Sequence, residues 1–152
     1  MSEPNPGTEP VECPEIVYRA LKRGPDHDEP LPSEEFMRRV RQPETEKAVS
    51  LSRRKYATAR DCRSKLRRKR GTASLHVGKV RDLPFGLDVT PDPARNEDGN
   101  IVDPAHCLLI NLPDPVTDEE SAEVAASQLI KIARLVTPEQ EEQEHTERYG
   151  KA

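Results

Sequence analysis

Thirty Leu, Ile, Val and Phe residues, about a fifth of a 152-residue chain, are nearly all the material from which an interior can be built. Three Tyr, two Phe and no Trp add little aromatic bulk. Fifteen prolines and a charged fraction of 34% withdraw further residues from packed elements. Such a chain lies near the limit at which burial still offsets the entropy of ordering. Its length suits one domain with tails. The expected fold is a small α+β domain over residues 15–136, with three to five short strands packed by a C-terminal amphipathic helix. Residues 1–14, with four prolines, are expected to be disordered or draped over the surface, and the acidic stretch 137–152 to be a disordered, solvated tail or a frayed helix.

Local patterns place the elements. Glu15 to Leu21 mixes β-branched, aromatic and apolar residues ahead of the Arg23-Gly24-Pro25 break, which predicts a strand. Ser33 precedes Glu34 and Glu35 and can cap a short helix reaching Val40 and ending before Pro43. Ala48 to Leu51 reads as another short strand, and Tyr56, Ala59, Cys62 and Leu66 recur at helical spacing. Alternation from Ser74 to Lys79 predicts a strand, although Val80 shifts its phase; Leu87 to Thr90 predicts the next. Pro91 to Pro104 reads as a long loop turning at Glu97 to Asn100. The apolar run Ala105 to Leu112 is the expected central strand. Thr117 with Glu120 fits a capping box. After it, Ala122, Ala125, Ala126, Leu129, Ile132, Ala133 and Val136 form one helical stripe.

Charge is divided by position rather than by face. Residues 38–81 hold 16 of the 24 Lys and Arg but only three of the 28 acids, so a net charge of −4 hides a basic block between acidic arms. That asymmetry speaks to partners. Arg53, Arg54, Lys55, Arg60, Arg63, Lys65, Arg67, Arg68, Lys69 and Arg70 form the candidate binding surface. An acidic protein surface, or the chain's own acidic tail, is the expected counterpart. Nucleic acid is the alternative, because cations at this density neutralise phosphates. Tyr56 is the one aromatic inside the block, fewer than stacking platforms for single strands use.

Candidates for chemistry are scarce. Cys13, Cys62 and Cys107 are isolated, without a CxxC pair, and are expected as reduced thiols in a cytoplasmic protein. His76 and His106 fall in expected strands and can approach across a sheet, whereas His106 and Cys107, as strand neighbours, face opposite ways. Neither the histidines nor the cysteines have zinc-ligand spacing, and no glycine-rich phosphate loop occurs. Most aspartates border prolines or turns. The opening residues lack the charged and apolar regions of a secretory signal, and no apolar run reaches the ~20 residues of a membrane helix. No catalytic set, metal or cofactor emerges. A non-enzymatic binding protein of a bacterial multi-protein system is the expectation.

One family resemblance adds a further expectation. Val17-Tyr18-Arg19-Ala20, then Phe36, then Val49-Ser50-Leu51-Ser52, resembles the opening of ADP-ribosyltransferase-like domains. That resemblance implies NAD contacts at Arg19 and Ser50, while segments 74–90 and 105–112 lack the family's late glutamate. The portion from His76 to His106 is also similar in style to small uncharacterised bacterial proteins.

Overall fold

The computed structural model describes residues 5–21, 33–38, 40–41, 44–45, 48–64 and 71–150. In chain order the elements are β1 (Ile16–Ala20), a 3-10 turn (Ser33–Phe36), β2 (Val40–Arg41), β3 (Glu44–Thr45) and β4 (Val49–Arg53). Next come α1 (Ala59–Arg63), β5 (Thr72–His76), α2 (Val77–Asp82), β6 (Asp88–Pro91), β7 (Ala94–Arg95) and β8 (Ile101–Asp103). The chain continues through β9 (His106–Ile110), α3 (Glu119–Ile132), β10 (Arg134–Leu135) and α4 (Pro138–Tyr149). Six strands form one antiparallel sheet in the order β10-β5-β1-β4-β9-β6, and β2-β3 and β7-β8 form two small pairs. The α+β class stands, with six strands in the main sheet where three to five were expected.

The period-two pattern of β1 explains how the sheet is covered on both sides. Val17 and the following Leu21 enter the main core with Leu51, Leu75, Leu109 and Leu129 of α3. Ile16, Tyr18 and Ala20 face the other way and pack with Ala59 and Cys62 of α1. Register reinforces the main core, since Leu109 lies opposite both Val49 and Val89. The buried stripe of α3 is Ala122, Ala125, Ala126 and Leu129, as its spacing predicts, while Ile132 packs at the margin; the helix ends there, with Ala133 as its cap and Val136 beyond β10, so neither extends the stripe.

Several boundaries differ from the sequence reading. The alternation after Ser74 breaks at His76, whose ring Nδ1 accepts from the Lys79 amide and caps α2. Val77 and Val80, three residues apart, are then both buried on a helix; the phase shift at Val80 was that helix's signature. The cap of α3 is Asp118, which accepts from the Ser121 amide, rather than Thr117. Ser33 opens a single 3-10 turn, and Val40 belongs to β2. The loop after Pro91 contains the β7-β8 hairpin, whose turn is closed by Asn96 Oδ1 accepting from the amides of Asp98 and Asn100. Helix α1 is one turn long, with Tyr56 outside it, and Leu66 lies outside the described residues. Among the described residues, no helix is long and apolar enough to cross a membrane.

Residues 5–14 are draped against the body of the protein, and 138–149 lie against it as α4. Val11 is buried in the main core, and the Cys13 and Glu15 carbonyls accept from the Gly78 and Val77 amides of α2. Gly7 has φ +87, and a Cβ there would come within 2.2 Å of the Pro104 carbonyl oxygen, so glycine is required.

Candidate functional site

The basic segment runs off the end of β4 into α1, and its described cations all meet carboxylates of this same chain. Arg53 is the deepest, with 0% exposure. Its Nε and Nη2 fork onto Glu15 at 3.0 and 2.9 Å. Nη1 and Nη2 also donate to the Glu9 and Pro10 carbonyls, at 3.0 and 3.4 Å. Burial opposes the charge, and the Glu15 hydrogen bonds outweigh it, so Arg53 stays firmly protonated. Lys55 pairs with Glu9 at 2.9 Å, and the Tyr56 hydroxyl donates to the same carboxylate at 2.5 Å. Burial raises the Glu9 pKa, but the Tyr56 and Lys55 hydrogen bonds and Arg53 bring it down to about 2. Arg53 is therefore an internal strut for the N-terminal arm, not part of a binding surface.

The remaining cations face α4. Thr58 caps α1 in a capping box with Asp61, which aims the helix and its arginines toward the chain's end. Arg63 grips Glu141 through Nε at 2.9 Å and Nη2 at 2.5 Å, and Arg60 reaches the same carboxylate at 3.5 Å. The Arg63 hydrogen bonds hold the Glu141 carboxyl below its ordinary range against the pull of burial. One turn on, Glu144 accepts from the Ala59 amide at 2.7 Å, pairs with Arg54 at 3.1 Å and accepts a hydrogen bond from the Tyr18 hydroxyl. Burial and the Glu144 carboxylate both push the Tyr18 pKa up, so the phenol stays protonated. His145 Nδ1 lies 3.2 Å from the Thr58 hydroxyl, Arg148 donates to the Arg54 carbonyl, and Tyr149 donates to Asp61 at 2.7 Å.

A groove of about 330 Å³ remains between α4 and the sheet. Ile16, Tyr18 and Ser74 form its floor, and Gln140, Gln143 and Glu144 overhang it. Arg54, 52% exposed on its side chain, lies at its edge. The site is thus a polar helix held over a sheet by carboxylate–guanidinium contacts.

Other candidates are dispersed. Lys65, Arg67, Arg68, Lys69 and Arg70 lie outside the described residues, as does His27. Arg19 is buried, donating to the Glu35 carbonyl and to the Ser50 carbonyl, each at 3.0 Å, with the Glu35 carboxylate 3.9 Å away. Arg19 thus meets the backbone of Ser50, whose side chain is exposed while Val49 and Leu51 face the core. His76 and His106 do not meet: β1 and β4 separate their strands, a gap of about 14 Å. His106 Nδ1 instead contacts Asp92, at 2.8 Å from its carbonyl and 3.2 Å from its carboxylate, while Cys107 is buried on the opposite face. Cys13, Cys62 and Cys107 are all unbridged. Among the described residues, no group of three metal-ligating side chains converges. Sequence reasoning passed over Glu141, Glu144, His145 and Tyr149. Their spacing on one helical face, with Thr137 and Gln140 forming a capping box before them, was the available signal.

Comparison with protein-family models, curated proteins and solved structures finds no match.

Proposed function

We propose that this chain is a non-enzymatic binding protein, a cytoplasmic adaptor or regulatory subunit of a bacterial multi-protein system, whose basic segment docks an acidic partner protein. The supporting observation is the seat made for Glu141 and Glu144 by α1, Arg54 and Tyr18 of β1, where one guanidinium fork, two further arginines and a phenol receive two carboxylates one helical turn apart. Carboxylate recognition by forked arginines is geometric as well as electrostatic. Arginine at positions 54, 60 and 63 therefore favours an acidic helix over a diffuse polyanion. In sequence, residues 65–70 continue the cationic run. Among the described residues, the cysteine thiols lie apart from His76 and His106, and the Thr58 hydroxyl that meets His145 caps α1.

The discriminating experiment titrates the purified chain with acidic helical peptides and with RNA and DNA oligonucleotides, each at low and high salt. Peptide binding that falls on Arg60→Gln with Arg63→Gln supports the docking role. Tight oligonucleotide binding with a steep salt slope, lost on replacing Arg67 to Arg70 by Gln, would assign the segment to nucleic acid instead.

A further inference from the structure

We infer that α4 is a detachable occupant of this docking surface, a built-in competitor that masks Arg54, Arg60 and Arg63 until it is displaced. The inference rests on the docking role proposed above and adds its regulation. Most helices in proteins are held by an apolar face. Helix α4 has none: from Pro138 to Tyr149 its one buried residue is Glu141. Its attachments are Glu141, Glu144, His145, Arg148 and Tyr149, which recur at three- and four-residue steps along one polar face. Beside that face, along Gln140, Gln143 and Glu147, a groove is left open between α4 and the sheet, so α4 is not packed there as an interior helix would be.

The helix is also complete in itself. Thr137 and Gln140 close a capping box, Pro138 occupies the first turn, and Gly150, at φ +77, ends it. It can therefore leave as a unit, with β10 and its pairing to β5 remaining as the tether. Partly exposed ion pairs are weak and are screened by salt. The tether reinforces these contacts, giving α4 a high effective concentration that a partner in solution must exceed.

The test uses the full chain and a labelled peptide of residues 137–150, followed by fluorescence anisotropy. In the double variant Glu141→Gln, Glu144→Gln, the resident helix is loosened and the peptide should bind at least ~10-fold more tightly than to the unaltered chain. Adding Arg60→Glu and Arg63→Glu should abolish that binding. A second variant, Arg148→Ala with Tyr149→Ala, loosens the other end and should give a smaller rise, which keeps the test alive if the first variant fails to fold. Equal peptide binding by the unaltered chain and a folded loosened variant overturns the inference, as does binding that survives the arginine reversals. If unrelated acidic helices fail while the chain's own peptide binds, the masking role stands and the adaptor reading falls. If they bind both forms equally, the adaptor reading stands and masking falls.

Discussion

The two ends of this chain are both acidic, both expected as loose arms, and both fastened to the same basic segment, yet by different physics. The N-terminal arm is held by Arg53, fully buried, whose guanidinium pairs with the Glu15 and Glu9 carboxylates and donates to two backbone carbonyls, while Val11 enters the core. The C-terminal helix is held by Arg54, Arg60 and Arg63 at the surface and buries no apolar side chain. A buried cation that is already matched becomes part of the framework, because removing either partner strands the other. A surface cation holds its carboxylate only as long as nothing better arrives.

The strongest way to break that contrast is Arg53→Ala. It leaves Glu15 and two carbonyls without their donor and should cost ~3–5 kcal/mol in urea denaturation. Arg53→Lys should recover only part, since an ammonium cannot fork. Next comes Gly7→Ala, which places a Cβ against Pro104 at positive φ and should cost ~1–3 kcal/mol in a thermal melt. On the other side, Glu141→Gln should lower global stability by ~1 kcal/mol or less. Its clearer effect should be local: hydrogen exchange speeds up in α4 but not in residues 7–15. Raised salt should reproduce this in the unaltered chain, because screening reaches the exposed pairs first.

Acid sharpens the comparison further. Glu141 and Glu9 both have folded pKa values below their ordinary ones, Glu9 at about 2. Each therefore stabilises the fold above the ordinary carboxylate range and loses that contribution as pH falls through its lowered value. For α4 that loss removes the Arg60 and Arg63 contacts. The N-terminal arm keeps the Arg53 bonds to the Glu9 and Pro10 carbonyls, which do not titrate. Hydrogen exchange followed from neutral pH downward should show α4 opening while residues 7–15 stay protected. Equal loss at both ends would remove the distinction.

Much of the framework was legible in the residues. Elements whose apolar residues keep their own period needed no partner to be read: Ile16–Ala20, Val49–Arg53, His106–Ile110 and the alanine-leucine stripe of α3 all lie where spacing puts them. The division of charge was legible too, and with it the expectation that cations would find acids. What local pattern could not supply was the pairing of remote positions. The two-residue strand β10 exists because β5 offers an open edge to Arg134 and Leu135. His76 ends a strand because its ring can cap the turn that follows. Arg53 and Arg54 are adjacent in sequence, with nothing local to rank them. Arg53, the last residue of β4, meets the arm in the interior, while Arg54, in the turn just after it, reaches α4, so one became framework and the other surface.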